Sequence, residues 1–586
     1  IETYMTLKPD VLGNWWNNIC FIADDEDQNL HFTQAEKLQY MIDTGYHVYN
    51  RHKIYLDAFP QVSSPSGTRY PDVNIAINRM MDIGGLVLNY TGHGGEGGWA
   101  HESILDIPAI NAWTNWNRLP LFITATCEFS RYDDPAIISA GEYVFLNPGG
   151  GGIGLLTTSR LAWADPNFRL NKAVYKFMFK RPGGEFYRLG DIMRMAKTDQ
   201  NNGTNIKNFV LLGDPALRLA YPQLNIETLQ INGNETSIPD DTLSAMSEVT
   251  VHGVITDLEG DTVKDFNGIL YPSVYDKEVR LSTLGNDAGS LPAQFYVMGQ
   301  KLYEGKFSVV NGEFTFTFFM PQNMATYYGF GKISYYAYDT LNNRDAHGYY
   351  KIKTGGVNQD VIPDHEGPEL SLYMNNTEFV SGGLTDKEPV FMAYLFDEHG
   401  INYTGNGIGR DITLTLDGDP LNIEILNDIF DPDLDSYQSG WVSFPYSALE
   451  DGLHTLTLKA WDNMNNASEK SIEFIVSVDT PVALTGVMNY PNPFNETTHF
   501  VFYHNKPGNS FDIEIRIFNI SGQHVTSLRQ QAAAEGLTIS PLLWDGTDSG
   551  GNKLGNGIYI YRMYVTDEQG TLFVQTSKLI FTGSMQ

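Results

Sequence analysis

Cysteine is nearly missing: 586 residues hold only Cys20 and Cys127. Two thiols about a hundred positions apart exclude the dense cross-linked framework of a small disulfide-stapled module. Long apolar runs are missing as well. No stretch approaches the roughly 18 to 20 apolar residues that a membrane-crossing helix needs. The opening Ile1-Glu2-Thr3 has no basic and then apolar region of a signal peptide, and without an initiator Met it suggests a fragment or processed form. Positive charge is scarce. Lys and Arg number 38 against 70 Asp and Glu, and a formal net charge of -32 repels a phosphate backbone and argues against nucleic acid as a partner.

What is present is apolar residues, aromatics and turn formers. With 42% hydrophobic residues, 13% aromatics and 56 glycines, the chain reads as packed, turn-rich and largely β, and its length excludes a single domain. Residues 1–222 alternate short apolar runs with helical periodicity. Strands are predicted at 18–23, 54–56, 86–90, 121–126, 153–157 and 209–212. Thr33 with Glu36 reads as a capping box opening a helix that ends near Gly45. Val73, Ile77 and Met80 share a helical face, and further helices are predicted at 136–146, 165–179 and 189–198, the second with Asp165 as N-cap. This alternation predicts a mostly parallel sheet between helices, with functional residues at the carboxyl ends of its strands.

After about residue 222 the pattern becomes short alternating strands and Gly, Asn or Asp turns. Ala337-Tyr338-Asp339-Thr340-Leu341-Asn342-Asn343 recurs 123 residues later as Ala460-Trp461-Asp462-Asn463-Met464-Asn465-Asn466. Two β-sandwich domains of Ig-like size are therefore expected, at 223–357 and 358–480. Residues 481–586 form a third β unit, in which Ile513, Ile515 and Ile517 alternate with Asp512, Glu514 and Arg516.

The chemistry centres on Cys127. A thiol is a strong nucleophile only as thiolate, so a catalytic cysteine needs an imidazole and donors for the charge that develops on a substrate carbonyl. Gly92-His93-Gly94-Gly95 follows one predicted strand and Cys127 the next. The glycines allow close backbone approach, and the N–H of Cys127 can be a second donor. The plainer reading stays open: a strand-end cysteine can be a small buried apolar residue and a loop histidine a turn residue. Cys20, inside an apolar run, reads as structural, and His31 and His101 as surface or locally hydrogen-bonded residues. Asp431, Asp433 and Asp435, and Asp257, Glu259 and Asp261, offer oxygens to Ca²⁺ but lack the spacing of a helix-loop-helix calcium loop, and solvated acidic loops are the expectation. No Cys/His cluster indicates zinc, so neither a metal nor another cofactor is expected at the site.

Leu88-Asn89-Tyr90-Thr91-Gly92-His93-Gly94, Trp99, and Leu119-Pro120-Leu121-Phe122 leading to Ala125-Thr126-Cys127 resemble the core of the gingipain-type cysteine peptidases, family C25, as do Ala162-Trp163-Ala164 and Leu212-Gly213-Asp214-Pro215. The resemblance implies a caspase-like α/β fold with Cys127 as nucleophile, His93 as base, and Gly94 with Cys127 as oxyanion donors. It also implies an acid after the first strand to orient the histidine, for which Asp25 is chosen and Asp24 is the alternative. Trp163 would line the pocket for the residue before the scissile bond. Gln28 stands about where arginine-specific members carry a further acid, which argues against that specificity.

The C-terminal text resembles the type A sorting domain of type IX secretion. It comprises Asn489-Tyr490-Pro491-Asn492-Pro493-Phe494-Asn495, Ile517-Phe518-Asn519-Ile520-Ser521-Gly522, Trp544-Asp545-Gly546 and Gly557-Ile558-Tyr559-Ile560-Tyr561. The whole order of domains resembles the cell-surface sortases of that system. That implies a peptidase and transpeptidase which removes sorting domains from cargo proteins and passes the acyl group to an amine of anionic lipopolysaccharide. It also implies docking to the outer-membrane β-barrel PorV and other attachment-complex components, a location peripheral to the outer membrane, and a further N-terminal region. The alternatives are a secreted protease that only hydrolyses peptides, or a catalytically inactive surface binding protein.

Overall fold

Short apolar runs buried along their whole length build the sheet that carries the site. In a computed structural model the strands are Asn18–Ala23 (β1), Asn50–Tyr55 (β2), Val87–Thr91 (β3), Leu121–Ala125 (β4), Gly154–Thr158 (β5) and Phe209–Leu212 (β6), in the spatial order β6-β5-β4-β3-β1-β2. All neighbours are parallel except β5 and β6. The structure describes residue 4 and residues 11–582, apart from 66, 201–202, 237–241, 288, 406, 408, 477–483, 505–509, 534–541, 568–569 and 571. The expected boundary at 480–481 and the opening Ile1-Glu2-Thr3 lie outside the described residues.

Alternation along β1 sends successive side chains to opposite faces. Ile19, Phe21 and Ala23 join one core with Ala35, Leu38 and Ile42 of helix α1 (Glu26–Gly45), while Cys20 and Ile22 join a second core with Val73, Ile77 and Met80 of helix α2 (Pro71–Ile83). Both faces are thus covered, which is why the central strands read as unbroken apolar runs. Each such side chain, fully buried, contributes on the order of 2 kcal/mol. Cys20 is completely buried and its thiol is pushed above the ordinary range by desolvation, in keeping with a structural role.

The helix boundaries needed correction. Helix α1 begins at Glu26, before Thr33, and its first turn contains three left-handed residues, Asp27, Gln28 and Asn29 (φ 58°, 57° and 65°). Glu36 is drawn away from any capping role because it accepts from Lys53 Nζ at 2.7 Å and Tyr55 Oη at 2.6 Å. Helix α3 (Ala140–Leu146) starts later than 136, at a capping box formed by Ser139 and Glu142. Helix α4 (Ala164–Met178) has Trp163, not Asp165, at its N-cap, and α5 spans Leu189–Asp199.

The rest of the described chain is β. A ten-stranded sheet containing Leu224–Ile231 and Arg344–Val357 folds around one apolar core. A four- and a five-stranded sheet follow around a second core, and a three- and a four-stranded sheet around a third. The repeated motif has a physical role. Asp339 and Asp462 are both fully buried at strand ends and accept from the turn that follows, from Asn342 Nδ2 at 2.7 Å and Asn466 Nδ2 at 2.8 Å. In the C-terminal unit, Phe494 packs on Trp544 and Phe581, so the quoted motifs meet in one core.

One hairpin of the first β unit crosses to the α/β part. Its strands are Val279–Ser282 (β7) and Gln294–Val297 (β8). Phe295 enters the α/β core against Phe32 and Tyr55, with ring centroids at 5.8 and 5.1 Å. The backbone N–H groups of Gly285 and Asn286 donate to Asp57, and Ser290 Oγ donates to the Asp25 carbonyl at 2.7 Å. Elsewhere Lys332 Nζ donates to the carbonyls of Val48 and Tyr49, and Asn17 Nδ2 to that of Tyr335.

Candidate active site

The register of the sheet brings the site together. Ala23 of β1 pairs with Thr91 of β3, and Thr91 pairs with Ala125 of β4. Asp24, His93 and Cys127 therefore emerge within two residues of the same edge on three adjacent parallel strands. Between β1 and β3 the strand order reverses, and crevices at such points are where α/β sheets bind ligands.

Asp24 grips the histidine loop through its backbone. Its Oδ2 accepts the His93 N–H at 2.7 Å, and the His93 carbonyl accepts from Tyr90 Oη at 2.6 Å and the Ala100 N–H at 2.9 Å. Burial, countered by the His93 hydrogen bond, raises the Asp24 carboxyl well above the usual range. The imidazole of His93 is about one-third exposed, with Nε2 at 3.0 Å from Asp27 Oδ2 and 3.5 Å from Glu26 Oε2.

Asp25, chosen as the orienting acid, does not reach the imidazole. It accepts a hydrogen bond from Tyr70 Oη instead. Successive residues leaving a strand point to opposite sides, so Asp24 turning to His93 sends Asp25 the other way. The acid beside the imidazole is Asp27, placed there by the left-handed turn at 27–29. Gln28 in the same turn is exposed, beside Gly289 of the hairpin, and is not at the base of a pocket.

Cys127 is partly exposed. Its Sγ donates to the Ala162 carbonyl at 3.2 Å and accepts from the Ala162 N–H at 3.5 Å. Ala162 belongs to the loop after β5, which also holds Leu161 and Trp163, 69% and 80% exposed. Trp163 is therefore no core aromatic: it stands at the rim next to the thiol. Gly94 is half-buried, and a Cβ there would lie 2.7 Å from Thr126 Oγ1 and 2.8 Å from the Gly98 carbonyl, so only glycine lets this backbone come so near the segment leading to Cys127.

His31, read from sequence as a surface or local residue, is 3% exposed and sits edge-on to His93 with ring centroids 5.1 Å apart. Its four-residue spacing from Asp27, which lies 3.4 Å from its Nε2, was the available signal. His101 stacks on His93 with ring centroids 5.5 Å apart and bonds Glu26 at 2.8 Å. Asp24, His31 and His93 have potential ligand atoms within 4.8 Å of one another, enough to hold a cation. The acidic runs considered for Ca²⁺ are engaged by protein groups: Asp431 by Lys306, Asp433 by Ser439, Asp435 by Ser308, and Asp257 by the N–H groups of Glu259 and Asp261.

Burial, reinforced by the His93 charge, lowers the pKa of His31 from 6.5 to about 4. Between those values the unfolded chain binds a proton that the folded protein refuses. Stability from this residue is thus fully present above pH 6.5 and is lost as the pH falls toward 4, an effect on the order of 3 kcal/mol. Asp25 acts oppositely. Burial raises it to about 6, so its contribution weakens as the pH rises from about 4 to 6. By NMR titration the His31 imidazole is expected to protonate near pH 4, and a midpoint near 6.5 would contradict this burial.

Residues 1–220 match the family model of peptidase family C25. The family is one of cysteine peptidases. Among solved structures, dimeric latent PorU from Porphyromonas gingivalis is 29% identical, covering 70% of this chain and 39% of its own, with a TM-score of 0.33. The chain thus spans about two fifths of that protein. The arginine-specific cysteine proteinase gingipain R is 14% identical, over 60% of this chain and 70% of its own, with a TM-score of 0.32. The complex of Porphyromonas gingivalis RgpB pro- and mature domains is also 14% identical, over 60% and 71%, with a TM-score of 0.32. No curated protein matches the chain. Among the described residues no helix is long and apolar enough to cross a membrane.

Proposed function

We propose that this protein is a PorU-type cysteine endopeptidase and transpeptidase acting at the bacterial cell surface. It would remove C-terminal sorting domains from type IX cargo and transfer the acyl group to an amine of anionic lipopolysaccharide. The observation that carries the reading is the emergence of Cys127 and His93 from matched positions on adjacent parallel strands of the segment that matches family C25.

The chemistry follows from the residues at that edge. Side-chain rotation between staggered wells releases the thiol from Ala162 and the imidazole from Asp27 and turns them toward each other. His93 takes the thiol proton and Sγ attacks the scissile carbonyl. The Gly94 and Cys127 N–H groups receive the charge on its oxygen, and the protonated imidazole gives its proton to the leaving amine. An acyl-enzyme remains, which an acceptor amine or water resolves. Trp163 and Leu161 at the rim hold the residue before the cleaved bond. In the same reading the α/β part is caspase-like, the first two β units are Ig-like, and the C-terminal unit docks on PorV.

Mass spectrometry of products from purified protein, a sorting-domain substrate and a model amine tests the proposal. The expected product is the aminolysed cargo. Hydrolysed cargo alone would support a peptidase without transfer, and an unchanged substrate would leave a binding protein.

A further inference from the structure

The loop that carries His93 has little stiffness of its own. Gly94, Gly95, Gly97 and Gly98 surround Glu96 in it, and glycine gives up more backbone freedom on ordering than any other residue. Pairing of Gly94 with Trp99 and of Gly95 with Gly98 folds these residues into a tight hairpin whose tip is Glu96-Gly97. At its base, Asp24 and the Ala100 N–H hold His93. The tip is held from across the site, by the segment that follows Cys127. The Glu96 carbonyl accepts the N–H of Ala140, the first residue of α3, at 2.7 Å, and Glu96 Oε1 accepts from Arg131 Nη1.

Arg131 gathers carboxylates from both halves of the site. Besides Glu96, its guanidinium lies 3.9 Å from Glu128 Oε1 and 3.2 Å from Asp134 Oδ2. Glu128 directly follows the cysteine and has left-handed backbone (φ 49°), a conformation uncommon outside glycine. One planar cation thus spans the residue after Cys127 and the tip of the loop after His93. A lysine would not do the same, being a point charge on a flexible stem without the rigid fork of donors. These four side chains are between a fifth and a third exposed, so their ion pairs add little to overall stability. What they fix is geometry.

We propose that Glu96 and Arg131 are positioning residues: their ion pair sets how closely the histidine loop approaches the cysteine. Neither has a place among the reacting groups. Without the pair the glycines let the hairpin swing about its base, and the displacement falls on His93 and Gly94, the residues from which it springs. The base and one oxyanion donor are then misplaced together. The inference rests on the reading of Cys127 and His93 as the reacting pair.

The test is alkylation of Cys127 by iodoacetamide as a function of pH, read by mass spectrometry, beside steady-state cleavage of a sorting-domain substrate. Cys20 is completely buried, so the label reports on Cys127. A nearby imidazole keeps a thiol ionised below its ordinary pKa of about 8.5, so the parent is expected to show an alkylation midpoint below that value, which His93→Ala abolishes. Glu96→Gln and Arg131→Gln should each move the midpoint toward about 8.5 and lower kcat by on the order of 10²-fold, with KM and urea unfolding little changed. The other groups facing the imidazole, Asp24, Glu26, Asp27, His31 and His101, stay as they are in these variants. The double variant should be no slower than the slower single, because both changes remove one contact. Glu96→Gln leaves Arg131 with Glu128 and Asp134, so it keeps the test open if Arg131→Gln fails to fold. Folded Glu96→Gln with the parent's midpoint and kcat overturns the proposal, as does a double variant whose loss is the product of the two single losses. A parent midpoint of about 8.5 that His93→Ala leaves unmoved would remove the Cys127–His93 pair itself, and the clamp with it.

Discussion

Cys127→Ala is expected to lower peptide-bond cleavage by roughly 10⁴-fold or more while leaving the fold intact. Loss of the nucleophile in a hydrolase whose groups act as a unit costs about this much, the residual rate coming from binding and the oxyanion donors. Folding should not suffer. The thiol is partly exposed and its two contacts are to the backbone of Ala162. The measurement is single-turnover cleavage of a sorting-domain substrate, with urea unfolding to compare stability. Cleavage within tenfold of the parent would remove Cys127 from the chemistry, and a matching loss of stability would show that the residue is structural.

Gly92→Ala is the second large effect, and it acts at a distance from the thiol. A Cβ at this position would stand 2.4 Å from the Asp24 Cβ and 2.5 Å from Tyr90 Oη. Asp24 has little freedom to retreat, because its own N–H is bonded to the Thr91 carbonyl at 3.1 Å. Overpacking of this kind costs about 1 to 3 kcal/mol. The added methyl also pushes Asp24 off the His93 N–H. A displacement of about 1 Å in a catalytic group can cost on the order of 10²-fold in rate. Gly97 has open space around the same Cβ position, so Gly97→Ala is the matched control and should behave as the parent in urea unfolding and cleavage. Equal behaviour of both variants would show that the contact between Asp24 and the histidine loop is unimportant.

Much of the α/β sheet was legible because its strands are buried on both faces and written as unbroken apolar runs. The placement of His93 and Cys127 followed from the same cause: each directly succeeds such a run, and parallel strands in register bring their ends together. The acids were harder to assign. Asp24-Asp25-Glu26-Asp27 is one run of charge in the sequence, and its residues differ only in direction, which the left-handed turn at 27–29 decides. No glycine marks that turn. His31 has the local partner expected of it in Asp27, but its burial was hidden for a related reason, since it depends on the turn that folds it under His93. The start of helix α1 was shifted because Glu36, the expected capping partner, found tertiary partners in Lys53 and Tyr55. The hairpin that reaches Asp57 and Asp25 gave no local sign, because its partners lie more than two hundred residues upstream.

Phe295 has a consequence for how this protein could be divided. A cut at residue 222 follows the change in sequence pattern, yet it would remove an aromatic plug from between Phe32 and Tyr55 and strip the buried caps from the Val48 and Tyr49 carbonyls. The α/β segment is therefore separable along the polypeptide but not in space. Its hydrophobic interior is finished by residues translated long after its last strand, and the isolated piece would carry an open wound where the hairpin belongs.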